Sequence, residues 1–411
     1  MVDVTAHARA GQRGSGWRRF LAVYLVLFLV GTEAFLISPL LPTIARDVGV
    51  SETAAANVVT AYVLVYAITG PFLGGVSDRF GRRRSILTGT ALFLVGNAVA
   101  GIGTSLTVLI VARAAAGLGA AMAGPSIWAH LAESSTTEAR GRAIGVGFAF
   151  FSCGQVLGLP VGTFIAGALG WHATFLAIGA VTLVTLLGLH LQVRPTAKPV
   201  VGSAGAALRA VFSVWRNGII GHALAVTLLL QAANLGAYSF LGALLEERFG
   251  LTVNQRGFVG LLVGGGSVLG SLLAGRLGDR ARRRGRSGVA LIGLWCLLLG
   301  VGIVLAVQGS ALWLALAAIG LWFLASGAFG TDQQTLIATA APEQRATSVS
   351  WNNSIMYVGA AAGVLLVGGF PGQQAGMTVA AVVLTVPAAL VAAALSMRAA
   401  RGSRRPDAVA A

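Results

Sequence analysis

Three ionisable side chains sit inside otherwise apolar stretches of this chain: Glu33, Arg113 and Asp332. A charge at the centre of such a stretch costs about 2.5–3.5 kcal/mol on membrane-insertion scales unless it is paired or faces water. A carboxylate placed there can take up and release a proton, because burial favours its neutral form and a nearby cation its charged form. Counted back from Pro42, Glu33 lies about 13 Å from one end of its helix, and Arg113 about 10 Å from the same end of another. The two can meet at one depth, with Glu33 as proton acceptor and Arg113 tuning it, or as a permanent structural ion pair. Asp332 stands in the polar run Thr331-Asp332-Gln333-Gln334-Thr335, about 15 Å from its nearer helix end. An idle lipid-facing helix does not tolerate such a run. Asp332 is therefore expected to line a cavity as the second proton-coupling candidate, the alternative being a hydrogen bond between helices.

Gln231, Asn234 and Tyr238 are spaced three and then four apart, which places them on one helix face. With Tyr62, Tyr66, Gln155, Asn352, Asn353 and Tyr357 they are candidates for a pocket of amides and aromatics. Such a pocket suits neutral or cationic amphiphiles better than phosphorylated anions, for which intramembrane arginines beyond Arg113 are missing. Any single amide has the alternative of ordinary interhelical hydrogen bonding. His130 and His222 fall near helix ends, where contact with headgroups or backbone is expected. Cys153 and Cys296 lie in apolar runs and read as small core residues, with no disulfide or metal site implied. No Ser/His/Asp set, paired carboxylates or metal-ligand cluster gathers on one side, and no Gly-x-x-x-x-Gly-Lys-Ser/Thr loop occurs. Enzymatic chemistry, cofactors and direct ATP use are not expected, so an ion gradient must supply any energy.

The elements that position these residues follow from composition. Hydrophobic residues make up 56% of the 411 and charged ones 10%, with a mean hydropathy of +0.82, a balance that belongs in a bilayer. Apolar runs give twelve predicted spans at roughly 19–41, 53–75, 85–105, 106–133, 143–167, 171–193, 219–243, 255–278, 288–308, 311–340, 345–370 and 374–398. The first run is too long for a signal peptide and has no small-residue cleavage site followed by soluble sequence. The net charge of +16 raises nucleic acid as a partner, but the distribution argues otherwise. With both termini in the cytoplasm, all but four of the 29 basic residues fall on one side; Arg46, Arg248 and Arg256 face out and Arg113 lies within a span. The positive-inside rule explains the charge and implies a multi-pass cytoplasmic-membrane protein.

The chain is also duplicated. Gly74-Gly75-Val76-Ser77-Asp78-Arg79-Phe80-Gly81-Arg82 returns about two hundred residues later as Gly275-Arg276-Leu277-Gly278-Asp279-Arg280, each followed by an arginine cluster. Glu138, Arg140, Gly154 and Gly158 are echoed at a similar offset by Glu343, Arg345, Gly359 and Gly363. The halves divide into a bundle over 1–193, a cytoplasmic linker over 194–218 holding the only lysine, Lys198, and a bundle over 219–411. In the repeated turn, Gly74 permits close helix approach, and Asp78 can accept bonds from a helix N-terminus or an arginine. Asp78 and Arg79 are expected to form a gating ion pair, with Asp279 and Arg280 as a weaker echo. The other arginines have the alternative of simply marking the cytoplasmic side.

The first turn resembles the signature between helices two and three of the major facilitator superfamily, and Arg113-x-x-x-Gly117-x-Gly119-Ala120-Ala121 resembles its helix-four signature. Gly154, Gly158, Pro160 and Gly162 resemble the helix-five motif of the twelve-helix drug/proton antiporters, with Leu159 interrupting the usual Gly-Pro pair. Gly31-Thr32-Glu33-Ala34-Phe35, Gly170-Trp171 and Trp351-Asn352-Asn353 are similar to the arabinose-efflux-like branch. The resemblance implies an all-α membrane fold of twelve helices, two six-helix bundles related by a pseudo-twofold axis, with helices one and four lining the cavity. It further implies a monomeric secondary transporter exporting drug-like or antibiotic-like compounds in exchange for protons by alternating access. Proton-coupled sugar or nucleoside efflux is the alternative, and a non-transporting membrane sensor the alternative of another class. The glycines of helices five and eight fit close packing as well as a sliding contact, and Pro160 a bend.

Overall fold

The computed structural model describes residues 18–37, 40–193, 209, 211–251, 253–284 and 289–402. Twelve long helices organise them: α1 (Leu21–Leu36), α2 (Asn57–Phe80), α3 (Arg82–Ile102), α4 (Leu106–Ser134), α5 (Arg140–Leu169), α6 (Trp171–Gln192), α7 (Gly218–Phe249), α8 (Val253–Arg283), α9 (Val289–Gln308), α10 (Leu312–Ala340), α11 (Arg345–Gly368) and α12 (Gln373–Gly402). No strand occurs among the described residues. Most of the 194–218 linker lies outside them.

Among the described residues, ten helices are long and apolar enough to cross a membrane. The other two are α1, whose apolar part Leu21–Glu33 is short, and α11, which carries Thr347, Ser348, Ser350, Asn352 and Ser354 on its buried side. Those hydroxyls and amides lower the hydropathy of α11 because they face protein instead of lipid. The predicted first span is corrected here. The helix stops at Leu36, and a separate short helix, Leu41–Val48, turns off before Gly49 ends it in the left-handed region at φ 71.

The duplication is visible in the packing. In the first half α1 lies on α5, α2 on α4, and α3 on both α4 and α6; in the second α7 lies on α11, α8 on α10, and α9 on both α10 and α12. The halves meet chiefly where α5 packs on α8 and α2 on α11. Each half has its own buried apolar core, the first reaching across to Ile337, Ala338 and Val349 of the second.

Close backbone approach sets the position of α1. Gly154, Gly158 and Gly162 recur every four residues on α5 and face Phe28, Thr32 and Leu36, which recur every four on α1. A methyl at Gly158 would lie 2.8 Å from Thr32 Cα, so these helices are as close as backbones allow. The α5 helix runs continuously through Pro160, whose side chain is exposed.

The repeated motif is not a turn. Gly74, Asp78 and Arg79 belong to α2, which continues to Phe80, and Gly81 alone reverses the chain into α3. Its φ of 98° is a conformation glycine adopts at little cost and other residues resist. Asp279 and Arg280 lie on α8 in the same way.

Candidate functional site

The halves enclose a central cavity of about 230 Å³ walled by α1, α2, α4, α5, α7, α8, α10 and α11. It contains Glu33, Arg113, Tyr62, Gln155, Gln231, Asn234, Asn352, Asn353 and Tyr357 of the sequence candidates, together with Gln333 and Gln334. The volume falls just under the roughly 300–1,000 Å³ of small-molecule sites. A molecule larger than the cavity could enter only if the walls part.

Glu33 on α1 and Arg113 on α4 form an ion pair and are 2% and 1% exposed. Asn97 of α3 donates from Nδ2 to Glu33 Oε2 at 3.2 Å. The Arg113 guanidinium lies 4.3 Å from the centre of the Tyr62 ring, a cation–π contact strengthened by exclusion of water. Tyr62 stacks on Tyr66 at 6.3 Å, and Tyr66 meets Tyr357 edge-on at 5.6 Å. Asn353 of α11 donates to the Tyr66 hydroxyl at 2.9 Å. A charge state set on α1 is thus in contact, through aromatic rings, with the other half.

The second half supplies an amide network. Asn234 donates to Gln231 Oε1 and Ser326 Oγ, both at 3.0 Å, and accepts from Trp322 Nε1 at 2.7 Å. Thr227 donates to Asn352 Oδ1 at 2.6 Å, and Asn352 to Gln334 Oε1 at 3.3 Å. Tyr62 Oη, Arg113 Nε, Gln333 Oε1 and Gln334 Nε2 are buried without a hydrogen-bond partner while their residues line the cavity. A buried polar group left unsatisfied costs about 1–3 kcal/mol, so these four atoms favour a polar occupant of the cavity.

Three sequence candidates fall elsewhere. Asp332 is 7% exposed but does not belong to the cavity wall; its Oδ2 accepts from Trp295 Nε1 of α9 at 2.8 Å. The expectation that it lines the cavity is corrected: within the polar run, Gln333 and Gln334 face inward and Asp332 turns to a neighbouring helix of its own half. Tyr238 packs on the Phe323 ring at 5.4 Å and lines a separate hollow between α7 and α8. Tyr66 is a layer behind Tyr62, outside the wall itself.

At the arginine-rich end, two carboxylates cross between the halves. Asp78 of α2 accepts from the backbone N–H groups of Ala346 and Thr347 at 3.0 and 2.9 Å and from Thr347 Oγ1 at 2.6 Å, capping the start of α11. The expected partner of Asp78, Arg79, is corrected to Arg82, which pairs with Asp78 at 2.6 Å and with Glu133 of α4 at 2.9 Å, and Glu133 also pairs with Arg345 at 3.2 Å. Asp279 of α8 accepts from the N–H groups of Gly141 and Arg142 at 2.9 and 3.0 Å, capping the start of α5. Arg282 pairs with it at 2.5 Å. Each acid meets the positive end of a helix dipole in the opposite half. Asp279 is therefore a full counterpart of Asp78, with Arg282 in the place expected for Arg280, whose side chain is exposed. Arg282 follows Asp279 at helical spacing and was legible from it. Glu133 and Asn97 carried no comparable signal, whereas Gln333 and Gln334 belong to the polar run that marked this helix, with Asp332 chosen from it in their place.

A cavity between two duplicated six-helix halves, with buried charges in its wall and caps that tie the halves at one end, defines a multi-pass membrane transporter fold. The Major Facilitator Superfamily model matches residues 23–364 and 224–410, and the chain belongs to that family. It is 32% identical over 356 residues to the uncharacterized MFS-type transporter YceJ of Bacillus subtilis, covering 85% of this chain and 88% of that one. It is 30% identical over 165 residues, about 40% of each chain, to Multidrug resistance protein 2 of the same organism. Among solved structures, the human organic anion transporter MFSD10 superposes with a TM-score of 0.76 at 19% identity, over 92% of this chain and 100% of that one. The proton:xylose symporter XylE gives 0.71 at 18% identity, over 90% and 94%.

Proposed function

We propose that this protein exports small organic compounds, neutral or cationic amphiphiles, in exchange for protons. The observation that carries the reading is the Glu33–Arg113 pair in the wall of the central cavity. The two charges cancel, so the wall holds no net charge until Glu33 takes a proton. A proton on Glu33 leaves Arg113 held by the Tyr62 ring alone; a cationic group of the cargo competes with both proton and Arg113 for the same carboxylate. Proton and cargo then exclude one another, which is the requirement for exchange. The partial similarity to Multidrug resistance protein 2 supports a drug-like cargo. The arginine distribution supports a cytoplasmic location for the capped end. In that orientation the described conformation is closed toward the cytoplasm by the Asp78 and Asp279 caps, and alternating access requires both to break.

A second reading, sugar or nucleoside efflux, draws support from the unpartnered amide atoms of Gln333 and Gln334, which suit hydroxyl groups. Proteoliposomes with an imposed pH gradient test both. Uphill movement of lipophilic cations, competed by neutral amphiphiles but not by sugars, is the expected result. Sugar transport alone would favour the second reading, and no movement of any compound would favour a non-transporting sensor.

A further inference from the structure

The arginines at the capped end are of two kinds. Arg82, Arg282 and Arg345 are held by carboxylates, and Arg83 and Arg140 donate to the carbonyls of Val193 and Ala132. Arg142, Arg276, Arg280 and Arg283 instead surround a hollow of about 330 Å³, with no other described residue in its wall. Among the described residues, the one acid near these four in an ion-pair contact is Asp279, 3.9 Å from Arg142 and already occupied by its cap. Glu138 is held below the usual carboxylate range first by its hydrogen bonds to its own backbone and to Thr136, and only then by Arg140 and Arg283. Four guanidinium groups around one space repel one another, and an anion there relieves the repulsion. Arginine's planar fork also matches phosphate oxygens in pairs.

The ligand's other end is indicated by the same helix face. Leu269, Leu273, Arg276, Arg280 and Arg283 follow one another at spacings of four and three, forming a single stripe on α8. Leu269 and Leu273 are 63% and 39% exposed, and the three arginines are exposed beyond them. An apolar track that ends in a cationic hollow has the polarity of a phospholipid lying along the helix. We propose that this hollow binds the headgroup phosphate of an anionic phospholipid whose acyl chain lies against Leu269 and Leu273. Arg142 belongs to α5 and the other three arginines to α8, so the bound headgroup bridges the halves beside the Asp279 cap and holds this end closed. The inference is independent of what the central cavity carries.

The test uses the full chain in phosphatidylcholine nanodiscs doped with fluorescent phosphatidylglycerol. Each basic residue at an anionic headgroup contributes on the order of a fivefold factor, so R276Q/R280Q/R283Q is expected to lose on the order of a hundredfold in affinity, while R84Q, on α3, loses none. L269Q/L273Q should weaken the lipid and leave inorganic phosphate binding unchanged. Unaltered lipid affinity in the triple variant would overturn the proposal. So would displacement by inorganic phosphate at equal affinity with no effect of the leucine changes, which would mark a soluble-phosphate site. Should the triple variant fail to assemble, R276Q and R280Q singly carry the same test, each with about a fivefold loss. Spin labels at Thr136 and Arg284 should stay close with phosphatidylglycerol and separate in phosphatidylcholine alone; an unchanged distance would remove the bridging role.

Discussion

Glu33 and Arg113 cancel each other at nearly complete burial, so removing one strands the other. Breaking a buried pair from one side costs about 3–5 kcal/mol. Arg113→Ala leaves Glu33 charged and unpaired, and protonation removes that charge. The variant should therefore gain thermal stability as pH falls, whereas the pair-deleted E33Q/R113A should show a flat profile; equal profiles would argue against the pair. Glu33→Gln mimics the protonated residue and should bind cargo yet lose uphill export, which binding and transport assays on one preparation can separate. Asp332 now belongs to a different class. Asp332→Asn keeps an acceptor for Trp295 and should leave cargo range unchanged, while Asp332→Val strands that N–H and should cost about 1–3 kcal/mol, read by thermal unfolding. The sequence made Glu33 and Arg113 legible because an isolated charge in an apolar run stands out. It could not orient Asp332, since five consecutive polar residues occupy every face of their helical turn.

Helices were legible wherever charge disappears, and their ends were not. Asp78 and Arg79 looked like loop residues because charge and glycine crowd around them, yet a single residue, Gly81, makes the whole reversal. The break in α1 after Leu36 is accompanied in the sequence by Ser38-Pro39, a signal that a span drawn by hydropathy alone runs over. Nor does one chain reveal that the glycines of α5 lie on α1: spacing gives a face and not its partner. The partner matters, because α5 fixes the depth of the helix that carries Glu33. A methyl at Gly158 would press on Thr32 Cα at 2.8 Å, and overpacking of this kind costs about 1–3 kcal/mol. Gly158→Ala is expected to displace α1 and reduce transport severalfold, with a smaller loss of folded yield. Normal transport would show that α1 and α5 have slack.

Across the whole molecule, the two carboxylate caps divide one task. Each N-terminal cap contributes about 0.5–2 kcal/mol, and the two share no hydrogen-bond or ion-pair partner, so nearly additive effects are expected. Asp78→Ala and Asp279→Ala should each open the arginine-rich end to a soluble thiol reagent reaching a cysteine placed at Gln231, and the double variant should do so by the product of the single factors. Cargo binding should persist in all three, and equal loss of binding would mean the caps shape the cavity and not the gate. A separate consequence follows from α11. Thr347, Asn353 and Ser354 bond to α2 and Asn352 accepts from Thr227 of α7, so the segment is a poor candidate for leaving the translocon alone. During synthesis α2 emerges long before it and stands ready as a polar docking wall. The second half made as an independent polypeptide should then leave α11 accessible to protease, and supplying the first half in the same cell should protect it.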